Sequence, residues 1–184
     1  MRVLKSILLI LCSLFIVTNC EKDDICANTT LTTPRMVVNF KDIVVQENLK
    51  TVNNLLVQGV GNEAVLTGYN SVDVAEVLLP LKIDVPNIEI TTQYELIKDF
   101  NEVDDNGTPN DPNDDIELAN SDIITIKYVV KEIYVSPACG YKIQYENVSI
   151  LVEPDADNWI LLTDPSIDNL IIRDETITHY NLFH

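Results

Sequence analysis

The chain has 184 residues, with 29 acidic side chains against 12 lysines and arginines and a formal net charge of −17. So acidic a balance argues against a nucleic-acid partner and against docking flat on an anionic membrane. An apolar share of 46% is too high for disorder, so the acid decorates a fold.

Arg2 and Lys5 give a positive start, and Ile7 to Val17 is an almost unbroken apolar run. The run is shorter than the roughly 20 apolar residues a bilayer-spanning helix needs, so residues 1–19 read as a removable signal peptide. It ends at Cys20, followed at once by Glu21, Lys22, Asp23 and Asp24. The junction resembles a bacterial lipobox, whose cysteine is acylated and becomes the new N-terminus; Asn19 stands where a smaller residue is usual. Glu21 to Asp24 resemble the lysine-plus-acids signal that sends lipoproteins of Bacteroidota-type bacteria to the cell surface. The expectation is lipidation at Cys20, a lipid anchor in the outer membrane and exposure at the cell surface. An ordinary secretory signal is the alternative.

Residues 20–30 then form a short tether and 31–184 one domain; roughly 165 residues are enough for a proper core. Cys12 leaves with the signal and Cys20 carries lipid, which leaves Cys26 and Cys139 in an oxidising compartment. A disulfide between them is the simplest outcome, and two buried thiols the alternative. If Cys26 is pinned, only Glu21 to Ile25 separate the fold from the lipid, a reach of at most roughly 20 Å, so the domain sits against the membrane.

Past the tether the pattern has period two. Strands are expected at Arg35 to Phe40, Asn54 to Val60, Val72 to Leu81 and Ile88 to Ile97. Ile124, Ile126, Tyr128 and Val130 alternate with Thr125, Lys127, Val129 and Lys131, and Tyr141, Ile143 and Tyr145 with Lys142, Gln144 and Glu146. Val148 to Glu153, Trp159 to Thr163 and Asn169 to Thr178 complete the set. Lys50 to Val57 also has a helical reading, because Val52, Leu55 and Leu56 share a face. Short strands bounded by turn residues predict an all-β fold, a single antiparallel β-sandwich, immunoglobulin-like or related. Tyr128, Tyr141 and Tyr145 share a face with isoleucines and read as core, as does Trp159 alternating with Leu161; Tyr69 and Tyr94 read as freer.

Between two of these strands lies an acidic loop, "EVDDNGTPNDPNDDIE", from Glu102 to Glu117. Glu102, Asp104 and Asn106 fall at alternate positions before Gly107, and Asn110 and Asn113 follow at three-residue steps. Alternate oxygens before a glycine turn suit calcium, which the chain must wrap. The order resembles the aspartate-rich calcium repeats of thrombospondin type 3 more than an EF-hand, which wants a bidentate Glu where Asn113 stands. Calcium at this loop is therefore one expectation. A solvated hairpin loop of turn-forming residues is the other.

Little in the chain speaks for catalysis. There is no G-x-S-x-G elbow, no glycine-rich phosphate loop, and His179 reads as structural beside Tyr180. No enzyme is expected.

"CEKDDIC", "TTPRMVVNFKD", "LLPL" and "YVSPACGYKIQYENV" together resemble a family of uncharacterised small flavobacterial lipoproteins. The resemblance covers nearly all of the mature chain and implies that Cys26 and Cys139 belong to the family pattern. It implies no activity. The function expected is that of a non-catalytic accessory or interaction subunit of an outer-membrane assembly, with a membrane barrel protein as partner. The alternative is a glycan- or nutrient-binding module, which exposed aromatics clustered at one end would favour; an exposed strand edge or apolar patch would favour a protein partner.

Overall fold

The computed structural model describes residues 26, 33–62, 64–108, 112–166 and 170–184. The signal peptide, the Cys20 lipidation site and the tether apart from Cys26 lie outside these residues.

The expected all-β architecture is present: two sheets packed together around one core. Sheet one has the order β10-β11-β1-β4, built from β10 (Leu162–Pro165), β11 (Tyr180–Phe183), β1 (Met36–Lys41) and β4 (Glu76–Leu79). Sheet two has the order β3-β2-β5-β8-β9, from β3 (Val72–Val74), β2 (Val52–Gly59), β5 (Glu89–Lys98), β8 (Asn120–Ser136) and β9 (Gly140–Val152). A two-stranded ribbon, β6 (Val103–Asp104) with β7 (Ile116–Glu117), stands in the acidic loop.

Alternation decides which residues turn inward. Met36, Val38 and Phe40 of β1 face Tyr94 and Leu96 of β5 and Ile124, Ile126, Tyr128 and Val130 of β8 in one buried cluster. Each such side chain, fully buried, contributes about 1.5–3 kcal/mol. One pairing departs from the antiparallel expectation: β1 and β11 run parallel, Val38 beside Tyr180 through Lys41 beside Phe183, and join the two ends of the domain.

Other strands differ as well: Val72 to Leu81 breaks at Ala75, β3 pairing in sheet two and β4 in sheet one, and the strand expected from Trp159 begins only at Leu162. Lys50 to Val57 is not helical: Val52 and Leu55, three residues apart, both point inward because β2 carries a bulge between them, with Asn54 at φ +43°. The expected strand from Asn169 to Thr178 is absent over its described part. There Leu170 and Ile172 cover the edge of β9 through Tyr145 N–H to Ile172 O (3.0 Å) and Val148 N–H to Leu170 O (3.0 Å). The terminal strand begins only at Tyr180.

The crossing from sheet one to sheet two is fixed by tyrosines. Carbonyls of three successive residues accept hydroxyls from three strands: Pro80 from Tyr94, Leu81 from Tyr145 (3.2 Å) and Lys82 from Tyr128 (3.0 Å). Tyr94, read as free, is buried for this reason. Burial pushes the phenols of Tyr94 and Tyr145 up to about 12.

Candidate functional site

Cys26 and Cys139 are joined by a disulfide, their Cα atoms 4.9 Å apart. Cys139 lies in the turn between β8 and β9. Gly140 takes φ +68°, which an L side chain would resist, and Ser136 Oγ accepts the Cys139 N–H at 3.1 Å. The tether is thus stapled to the tip of the longest hairpin in the described chain.

This hairpin outruns its sheet. β5 pairs with β8 only as far as Glu89 beside Val129, and Asn87 adds one bond to the Val130 carbonyl at 2.9 Å. Beyond, Glu132 pairs with Ile143, Ile133 with Lys142 and Tyr134 with Tyr141. Tyr134 and Tyr141 continue the face that carries Val130 and Tyr145 into the core, but among the described residues no opposing strand covers them. Tyr141 is therefore not a core residue: it is 61% exposed, Tyr134 is 56% exposed, and their rings meet edge to face at 5.5 Å.

The acidic loop sits at the other end of sheet two, because β5 leads from Glu89, at the base of the hairpin, to Lys98 opposite Asn120. Four of its carboxylates have partners among the described residues. Glu102 accepts from Asn54 Nδ2 on the bulge of β2, Asp104 Oδ1 from Asn106 N–H (3.0 Å), and Asp105 Oδ1 from Gly107 N–H (3.0 Å). Asp114 Oδ2 accepts from Thr108 Oγ1 at 2.6 Å. Asn106 and Asn113 are exposed, and Asn110 lies outside the described residues. Among the described residues no three His, Cys, Asp or Glu side chains converge as a metal site would require. The loop is placed as expected, between two strands.

Buried polar groups elsewhere have structural partners. Asp122, fully buried on β8, accepts the backbone N–H groups of Trp159 (3.3 Å) and Ile160 (2.7 Å). Burial raises its pKa, against the pull of those bonds. Trp159 is core, as read, and its indole donates to the Leu96 carbonyl at 3.2 Å, but Leu161 beside it is 61% exposed. His179 is structural: its Nδ1 accepts the Val37 N–H at 2.9 Å, and burial lowers its pKa. An open cleft of about 490 Å³ lies between the turn after β2, Pro80–Lys82 and Thr92–Tyr94; Lys82 is the one charged residue among its described lining.

Sequence reasoning passed over Tyr134 and Asp122. Charge-free stretches as long as Ile133 to Tyr141 occur elsewhere in the chain, so composition does not mark out the first. Nothing local marks Asp122 out from the other acids.

Comparison with family models, with curated proteins and with solved structures returns no match. The likeness to flavobacterial lipoproteins therefore rests on the quoted segments alone.

Proposed function

We propose that the chain is a non-catalytic lipoprotein of the outer membrane, anchored through Cys20, exposed at the cell surface, and serving as an accessory subunit of a membrane-embedded assembly. The observation that carries this reading is the place of the Cys26–Cys139 disulfide at the hairpin tip. With five residues between Cys20 and Cys26, an acyl anchor at Cys20 holds the hairpin end within roughly 20 Å of the bilayer. A domain held so closely is placed to touch a membrane-embedded barrel rather than a distant soluble target.

Cross-linking and affinity capture of the native protein from intact cells, with and without EDTA, test the reading. Recovery of one outer-membrane barrel protein in stoichiometric amount supports it, and loss of that protein in EDTA adds calcium at the acidic loop. Recovery of nothing specific contradicts the accessory role. The exposed Tyr134–Tyr141 pair favours a second reading, a glycan-binding module, and retention on a glycan array that is abolished by Tyr134→Ala would establish it.

A further inference from the structure

The molecule is polarised along sheet two. At one end the acidic loop carries seven carboxylates between Glu102 and Glu117 and no lysine or arginine. At the other end the hairpin tip, Ile133 to Tyr141, carries no charge at all. Its large side chains are not folded away: Ile133 is 37%, Tyr134 56%, Val135 41% and Tyr141 61% exposed. Ile88 and Val85, also exposed, stand in the loop whose Asn87 is tied to the base of the same hairpin through Val130 and through Lys131 Nζ at 2.6 Å. This apolar patch, bounded by Glu132 and by Lys142 opposite Ile133, stands out on a chain of net charge −17 and suits an occupant that accepts tyrosine.

The tether says which occupant is in reach. Cys139, inside this tip, is bonded to Cys26, and five residues lead from there to Cys20. We propose that the tip of the β8–β9 hairpin is a second membrane contact, with Ile133, Tyr134, Val135 and Tyr141 entering the headgroup region of the bilayer that holds the Cys20 acyl chains. The proposal rests on the reading of Cys20 as acylated. Tyrosine suits this depth, since its ring is apolar and its hydroxyl stays among hydrated headgroups. Pairing between β8 and β9 up to Ser136 and Gly140 satisfies the inward-facing backbone of the ribbon, and its outer edges meet the hydrated headgroup region, where water and headgroups serve as partners. The acidic loop does not oppose the contact, because it lies at the far end and like charges more than about 10 Å from the surface are largely screened. The outcome is a fixed orientation, tip to lipid and acidic loop to the medium.

Brominated-lipid quenching tests it in the full lipidated mature chain, reconstituted into vesicles of phosphatidylethanolamine and phosphatidylglycerol with or without acyl-chain bromine. Trp159, the chain's one tryptophan, is 5% exposed in the core and supplies a constant background. Tyr134→Trp and Tyr141→Trp place reporters at the tip, where both positions are exposed and substitution leaves the core intact; Ile116→Trp, at the acidic end, is the control. The expected result is a blue shift and loss of emission in brominated vesicles for both tip variants and neither for Ile116→Trp. Equal emission for all three, in protein whose Cys20 peptide carries acyl mass, overturns the proposal and leaves the lipoprotein reading standing. A Cys20 peptide without acyl mass overturns both. A tip reporter untouched by brominated lipid but shifted by a purified barrel protein or a glycan assigns the tip to that partner, and also overturns the proposal.

Discussion

Tyr128 and Tyr145 meet edge to face at 5.2 Å and donate to adjacent carbonyls, those of Lys82 and Leu81. The two strands thereby hold the chain where it passes from one sheet to the other. Tyr145→Phe leaves the buried Leu81 carbonyl without its donor and is expected to cost about 1–3 kcal/mol. Tyr128→Phe also removes the partner 2.5 Å from Thr92 Oγ1, which keeps only the Lys82 N–H at 3.3 Å, and should cost at least as much. Urea unfolding of the two single variants and the double one measures both losses, and coupling between them shows as a departure from additivity.

Asp122 binds two backbone N–H groups that nothing else satisfies in the described structure, those of Trp159 and Ile160. Asp122→Ala should therefore destabilise by about 3 kcal/mol, from two buried donors and a small cavity. Asp122→Asn keeps one acceptor and should lose about half of that. Denaturant midpoints with unchanged slopes are the readout.

Strands were legible where period two met turn residues, as in β5, β8 and β9. What escaped the sequence was non-local. The parallel pairing of β1 with β11 has no local signature, and Asn169 to Thr178 read as a strand. Its described part instead lies against β9, and the chain turns at Asp174, whose Oδ1 accepts the Thr176 N–H at 2.9 Å. Tyr141 has the alternation of a core residue and is on the core face, but the length of a hairpin relative to its neighbours cannot be read from alternation. The acidic loop was located correctly, while the partner of Glu102, Asn54, lies 48 residues away and carries no motif.

That pairing yields another expectation. Glu102→Ala removes the carboxylate that holds Asn54 at its positive φ on the β2 bulge. A loss of about 1–2 kcal/mol in thermal or urea unfolding is expected, larger than for Asp104→Ala, whose exposed carboxylate bonds only within its own turn.

Histidine sets a pH dependence. Burial holds the His179 pKa below 6.5 despite nearby Asp174 and Glu175, so the unfolded chain takes up a proton first as the pH falls. Folding stability should be complete above pH 6.5 and decline as the pH drops from there toward the lowered folded value. Asp122, raised by burial, works in the opposite sense at lower pH, since its folded form holds a proton more tightly. His179→Asn supplies a non-titrating acceptor for the Val37 N–H and should lessen the decline, the remainder belonging to His184, also lowered by burial; urea midpoints from pH 7.5 to 5 compare the two proteins.

The disulfide closes a loop across 113 residues, and its loss through Cys26→Ser with Cys139→Ser should lower stability by about 2–4 kcal/mol with strand content preserved. The same variant lengthens the leash, so the tip tryptophan of Tyr134→Trp should lose much of its protection by lipid in that background.

The most direct measurement is mass spectrometry of non-reduced peptides from the protein isolated from outer membranes. The account predicts one species in which the peptide bearing acylated Cys20 and Cys26 is linked to the peptide bearing Cys139. A Cys26 peptide recovered alkylated, or joined to any other cysteine, would detach the hairpin tip from the tether and contradict the placement of the domain against the membrane.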